Sequence, residues 1–136
     1  MREIVFHLLY SVDFSAAEQE ESFPLLMKHH LVTKKSLYAA KAQAEEVQVK
    51  LKKLDQMISS TATEYEFDRI PRVERNLLRL GAYEIYFSTT PPKVAIDEAV
   101  RLAKKFSSAE SGSFVNAVLD ALYKKKSEAV QQASEK

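Results

Sequence analysis

Apolar residues along this chain recur at spacings of three and four, and almost never alternate, so the pattern predicts helices and no strands. From residue 2 to about 14, Ile4, Val5, Leu8, Leu9 and Val12 share one helical face. Residues 15–21 are small and acidic and read as a loop. Ser22-Phe23-Pro24 has the form of a helix start, with Ser22 as cap and Pro24 in the first turn. That short helix is expected to end near His29-His30. Thr33 then caps a long helix whose stripe is Leu37, Ala40, Ala44, Val47, Leu51, Leu54 and Ile58. The stripe is heptad-like, which suits packing inside the chain's own bundle or, alternatively, a dimerising coiled coil. Residues 59–63 end it.

In Asp68-Arg69-Ile70-Pro71, Pro71 fits the first turn of a helix running to about Phe87. Thr89-Thr90-Pro91-Pro92 breaks the chain, and the next helix carries Val94, Ile96, Ala99, Val100, Leu102, Ala103 and Phe106. Residues 107–113 read as a polar loop with Ser111 as the N-cap of the last helix. Phe114, Val115, Val118, Leu119 and Leu122 form that helix's apolar stripe. This makes an all-α chain of about six helices: one domain over residues 1–123, then a polar tail, 124–136, expected to be frayed or disordered.

Composition narrows what such a chain can do. Twenty basic and 19 acidic residues over 136 positions leave a formal charge of +1. That excludes a strongly cationic nucleic-acid sponge but leaves room for a local basic patch. Without cysteine there is no disulfide and no thiolate zinc site, and a reducing cytoplasm suits the chain. No apolar run reaches the ~18 residues of a membrane span. Chemistry is equally sparse. His29 and His30 are neighbours, about 100° apart on a helix, so they do not converge on one metal. No Gly-rich phosphate loop, nucleophile with its base, or partnered carboxylate pair occurs. No enzyme activity, metal or cofactor is expected.

Two places carry binding chemistry instead. Arg72, Arg75 and Arg79, preceded by Arg69, share a helix face, which is either solvated or a partner surface. Of this row, Arg79 is assigned to RNA. Around residues 107–114 a helix start offers backbone N–H groups to a phosphate. Phe114 beside it is either core or a platform for a stacked base.

At these residues the sequence resembles the NusB family. The matching blocks are Arg2-Glu3 with Leu9-Tyr10-Ser11; then Asp68-Arg69-Ile70-Pro71, Val73-Glu74-Arg75, Leu78-Arg79-Leu80 and Tyr83-Glu84-Ile85; then Pro92-Lys93-Val94-Ala95-Ile96-Asp97-Glu98-Ala99-Val100, Leu102-Ala103-Lys104, Phe106, Ser111, Phe114-Val115-Asn116 and Val118-Leu119-Asp120. The resemblance implies two packed three-helix bundles. It also implies a heterodimer with the small-subunit ribosomal protein called NusE, bound to single-stranded boxA RNA of nascent ribosomal transcripts. That pair would load, with other Nus factors, onto the RNA polymerase elongation complex. Carried over by position, Arg2 and Tyr10 lie on the RNA side of the first helix. Glu110, Ser111 and Phe114 meet the RNA from the last loop, and Glu74 and Arg75 face the ribosomal protein.

The chain departs from the family at several points. Only Arg2 remains of an arginine-rich start, and Gly112-Ser113 replaces bulkier, more basic positions, so RNA binding by the chain alone should be weak. Asp97 for Asn and Ala117 for Gly read as packing variations. Two other readings stay open: the RNA-binding accessory module of an rRNA cytosine methyltransferase, and a helical homodimer.

Overall fold

The computed structural model describes residues 2–12 and 34–134. The loop, short helix and histidine pair expected between residues 15 and 30, and the Thr33 cap, lie outside the described residues. Among the described residues there are six α-helices: α1 (Arg2–Val12), α2 (Lys34–Val49), α3 (Leu51–Thr61), α4 (Arg72–Phe87), α5 (Pro92–Phe106) and α6 (Ala109–Ser134). A 3-10 turn, Phe67–Arg69, precedes α4. No described helix is long and apolar enough to cross a membrane.

The chain divides into two compact units, Met1–Leu51 and Lys52–Lys136. In the first, α1 packs on α2. The apolar face of α1, Ile4, Val5, Phe6 and Leu9, is buried, as are Leu37, Ala40, Ala44 and Val47 of α2. Alanines at Ala40 and Ala44 let a neighbouring helix come close. The long helix expected over residues 33–58 is interrupted. Lys50 forms a turn, its N–H donating to Val47 O at 3.1 Å. The apolar stripe keeps its register across that turn, with Val47 and Leu54 both fully buried, so its spacing carries no sign of the break. Burial within the chain also removes this stripe as a dimerising seam.

The second unit is built around α4. Leu77 through Ile85 are all buried, so α4 has almost no solvent face after its first turn. It packs on both α5 and α6, which also pack on each other. Pro71 stands just before α4 as its N-cap, one residue outside the position the sequence predicts. Its extended ψ and missing N–H suit that place. Arg75 N–H closes the first turn onto Pro71 O at 2.8 Å.

The start of α6 differs more. The expected seven-residue loop shrinks to Ser107 and Ser108, and Ser111 and Gly112 lie inside the helix. Ser108, rather than Ser111, is the capping residue: its Oγ accepts the Ser111 N–H at 3.0 Å, and its carbonyl accepts the Gly112 N–H at 3.1 Å.

The other end of α6 runs on to Ser134, where composition predicts a frayed tail. Long-range lysine contacts tie down the first part of that stretch. Lys125 Nζ reaches Ser60 O and Thr61 Oγ1 at the end of α3, at 3.3 and 2.8 Å. Lys126 Nζ donates to Ile85 O at 2.6 Å, close to the C-terminus of α4. Cations there satisfy carbonyls that the helices leave open. Tyr86 adds a further tie, donating its O–H to Leu122 O at 2.8 Å, and burial pushes its phenol pKa up.

Candidate nucleic-acid interface

Between α3 and the 3-10 turn the chain makes a short polar loop, held by Ala62 N–H on Ile58 O and Tyr65 N–H on Ala62 O, at 2.8 and 3.2 Å. Tyr65 projects from this loop and is 54% exposed. It meets the half-buried Phe114, in the second turn of α6, edge to face, with centroids 5.2 Å apart and planes at 76°. That is a favoured geometry for two rings.

Two open cavities meet at this pair. One, of ≈ 450 Å³, runs along the end of α3 and the Ser113, Ala117, Ala121 edge of α6. The other, of ≈ 300 Å³, lies between the 3-10 turn, the first turn of α4 and the start of α6, with Arg69 and Glu110 among its lining residues. Glu74 and Ser111 also line the smaller cavity, and each is only 6% exposed. Ser107 Oγ donates to Glu74 Oε1 at 3.0 Å. Glu74 Oε2 and Ser111 Oγ have no hydrogen-bond partner among the described residues.

The position of Tyr65 depends on the turn that follows it. Phe67 lies under two guanidinium groups, those of Arg75 at 5.8 Å and Arg79 at 5.4 Å from its ring centre. Arg79 in turn grips Asp55 with two parallel bonds, Nε to Oδ1 at 2.8 Å and Nη2 to Oδ2 at 3.0 Å, and reaches Asn76 Oδ1 at 3.1 Å.

Arg79 was expected to contact RNA. At 7% exposure, with its fork on Asp55, it is an internal clamp between α3 and α4. Glu74, expected to face the ribosomal protein, lines the smaller cavity. Arg75 is half-buried and Arg72 exposed. Glu110 is exposed at the rim of that cavity, and Ser111 and Phe114 lie within it, so these three residues do come together. Arg2 and Tyr10 belong to the first unit. They sit on the partly exposed face of α1, about 80° apart around the helix, and the Tyr10 ring lies 5.9 Å from Phe6.

Sequence reasoning missed Tyr65 and Ser108. An aromatic inside the polar run Thr63-Glu64-Tyr65-Glu66 was a legible signal, since a loop ring with no apolar neighbours in sequence is an exposed ring.

Comparison with known proteins identifies this assembly of elements. The chain matches the NusB family over residues 1–124. It is 38% identical over 120 residues to the transcription antitermination protein NusB of Syntrophomonas wolfei, covering 88% of this chain and 90% of that one. The chain belongs to the NusB family. A second NusB, from Fervidobacterium nodosum, is 40% identical over 126 residues, covering 91% of this chain and 88% of that protein. Among solved structures, the crystal structure of antitermination factors NusB and NusE in complex with dsRNA superposes with a TM-score of 0.76 at 31% identity, over 91% of this chain and 93% of that one. The solution structure of NusB from Aquifex aeolicus gives 0.74 at 31% identity, over 90% and 84%. The paired rings and their cavities therefore belong to a NusB fold.

Proposed function

We propose that this NusB-family protein acts in transcription antitermination by holding single-stranded boxA RNA of nascent ribosomal transcripts together with the ribosomal protein NusE. The pair joins the RNA polymerase elongation complex with other Nus factors, in the cytoplasm. The protein acts by binding, and no bond is made or broken. The observation that carries this reading is the Tyr65–Phe114 pair between two cavities. Unpaired bases are recognised by stacking on aromatic rings, with polar groups at their edges and a few phosphate contacts. Inside a duplex the bases stack on each other and do not reach such a pair.

Arg2 and Tyr10 add an RNA-facing edge on α1, and Arg69 and Glu110 border the smaller cavity. Glu74 and Arg75, in the first turn of α4, are the residues proposed to meet the ribosomal protein. The methyltransferase-module reading is less well supported, because the relatives that this chain covers over about nine-tenths of their length are themselves NusB proteins.

A chain with a net charge of +1 neutralises few phosphates, so it binds RNA weakly alone. A second RNA-binding protein docked beside it raises the local concentration of contacts along the strand. Gel-shift titrations of boxA RNA at fixed salt, with and without NusE, test this. Affinity should rise by at least about tenfold with the partner present. Equal affinity in both arms would overturn the proposal.

A further inference from the structure

We infer that Lys125 is a positioning residue for RNA binding, which holds the start of the loop that presents Tyr65. It lies just past the residues that match the family, which end at 124. This rests on the RNA-binding reading above and goes beyond it, by assigning part of the affinity to a side chain that does not touch the strand.

Helix α6 touches this loop twice. Phe114 meets Tyr65, and eleven residues further on Lys125 Nζ donates to Thr61 Oγ1 at 2.8 Å and to Ser60 O at 3.3 Å. Eleven residues make about three full turns, so Phe114 and Lys125 lie on one face of α6, roughly 16 Å apart along its axis. The backbone from Thr61 to Tyr65 spans at most about 14 Å even when extended. It spans less here, because Tyr65 N–H closes a turn onto Ala62 O. A long side chain reaching back from α6 makes up the difference, and the lysine stem supplies it.

Ser60 and Thr61 are the last residues of α3, where carbonyls have no partner further along the helix and a cation is favoured. Thr61 and Tyr65 both line the larger cavity, so the anchored residue and the ring share one wall. At the far end of the loop Phe67 is covered by Arg75 and Arg79. With both ends tied, Tyr65 has less freedom left to lose when a base stacks on it. A loop freed at its start would be ordered only on binding, and affinity would fall by that cost. The neighbouring lysines are engaged elsewhere. Lys124 Nζ pairs with Asp120 of its own helix at 3.1 Å, and Lys126 Nζ donates to Ile85 O on α4.

The test compares Lys125→Met with two other variants of the full chain. Lys124→Met removes the same charge one residue earlier, and Lys125→Arg keeps a cation for the same oxygens. Amide hydrogen exchange at Ala62 and Tyr65 is followed by NMR, and boxA RNA affinity is measured with NusE present at several salt concentrations. Lys125→Met should speed exchange at both amides, and weaken RNA binding, each by about three- to tenfold. Its slope of log affinity against log salt should match the wild type, because no phosphate contact is lost. Lys124→Met should behave as wild type in both measurements, and Lys125→Arg should recover most of the loss. A slope flatter by about 0.7, or equal loss of affinity in Lys124→Met, would mean that charge itself meets the strand, and overturns the inference. Unchanged exchange in Lys125→Met, or faster exchange at unchanged affinity, overturns it too. In each of these cases RNA binding itself stands. Failure of the wild-type chain to bind boxA RNA, with or without NusE, overturns the RNA-binding reading and this inference together.

Discussion

Arg79 shows how much one side chain can hold. Its bidentate grip on Asp55, its bond to Asn76 and its place over Phe67 join α3, α4 and the 3-10 turn. Arg79→Met would leave Asp55 and Asn76 facing an apolar stem. Because the arginine is nearly buried and the aspartate only partly so, the expected cost is about 3 kcal/mol, at the low end for breaking a buried pair. Urea unfolding measures it, and adding Asp55→Leu should recover most of the loss. A cost below about 0.5 kcal/mol would place the pair with ordinary surface bridges. None of this was legible from the arginine row. Spacing of three and four tells which residues share a face, but not what covers it. Here the cover comes from a carboxylate 24 positions earlier. The serines at 107, 108, 111 and 113 were ambiguous for a related reason. Each can cap a helix, and only the closure of the first turn selects Ser108.

Helices in this chain are best compared through its two glycines. A Cβ on Gly81 would sit 2.6 Å from Leu119 Cδ1, at the α4–α6 crossing, where Leu119 is fully buried. A Cβ on Gly112 would meet Lys104 Cγ at 2.8 Å, but Lys104 is exposed and can swing aside. The same substitution should therefore have opposite signs at the two places. Gly81→Ala should destabilise by about 1–3 kcal/mol through overpacking. Gly112→Ala should be neutral or stabilise by up to about 1 kcal/mol through helix propensity. Thermal unfolding of the two variants decides, and a stabilised Gly81→Ala would mean the helices are not in close contact there. At this scale most of the fold could be read in advance. Prolines marked the starts of α4 and α5, and the apolar stripes picked out the buried faces. Missed were the turn at Lys50, across which the stripe stays in register, and the length of α6, where Lys125 and Lys126 reach oxygens far away in the sequence.

For the whole molecule the governing quantity is charge. Twenty basic residues stand against 19 acidic ones, so the chain as a whole offers no net pull on a phosphate backbone. Single-stranded binding loses about 0.7 log units of affinity per tenfold rise in salt for each phosphate neutralised. With two or three such contacts the slope should be no steeper than about −2. Titrations at several salt concentrations measure it directly. A much steeper slope would mean a broad cationic track, and would move the weight of binding away from the rings. The division into two units belongs to this scale too. Composition gives no sign of it, since no linker of glycine, proline or serine marks it.

The edge-on contact of Tyr65 with Phe114 has a kinetic corollary. Its parts are set by folding: one ring sits on a long helix, the other on a loop stapled at both ends. A nucleotide arriving there meets walls already in place, so capture is governed by encounter, and alterations to the pocket should appear mainly in how long the strand stays.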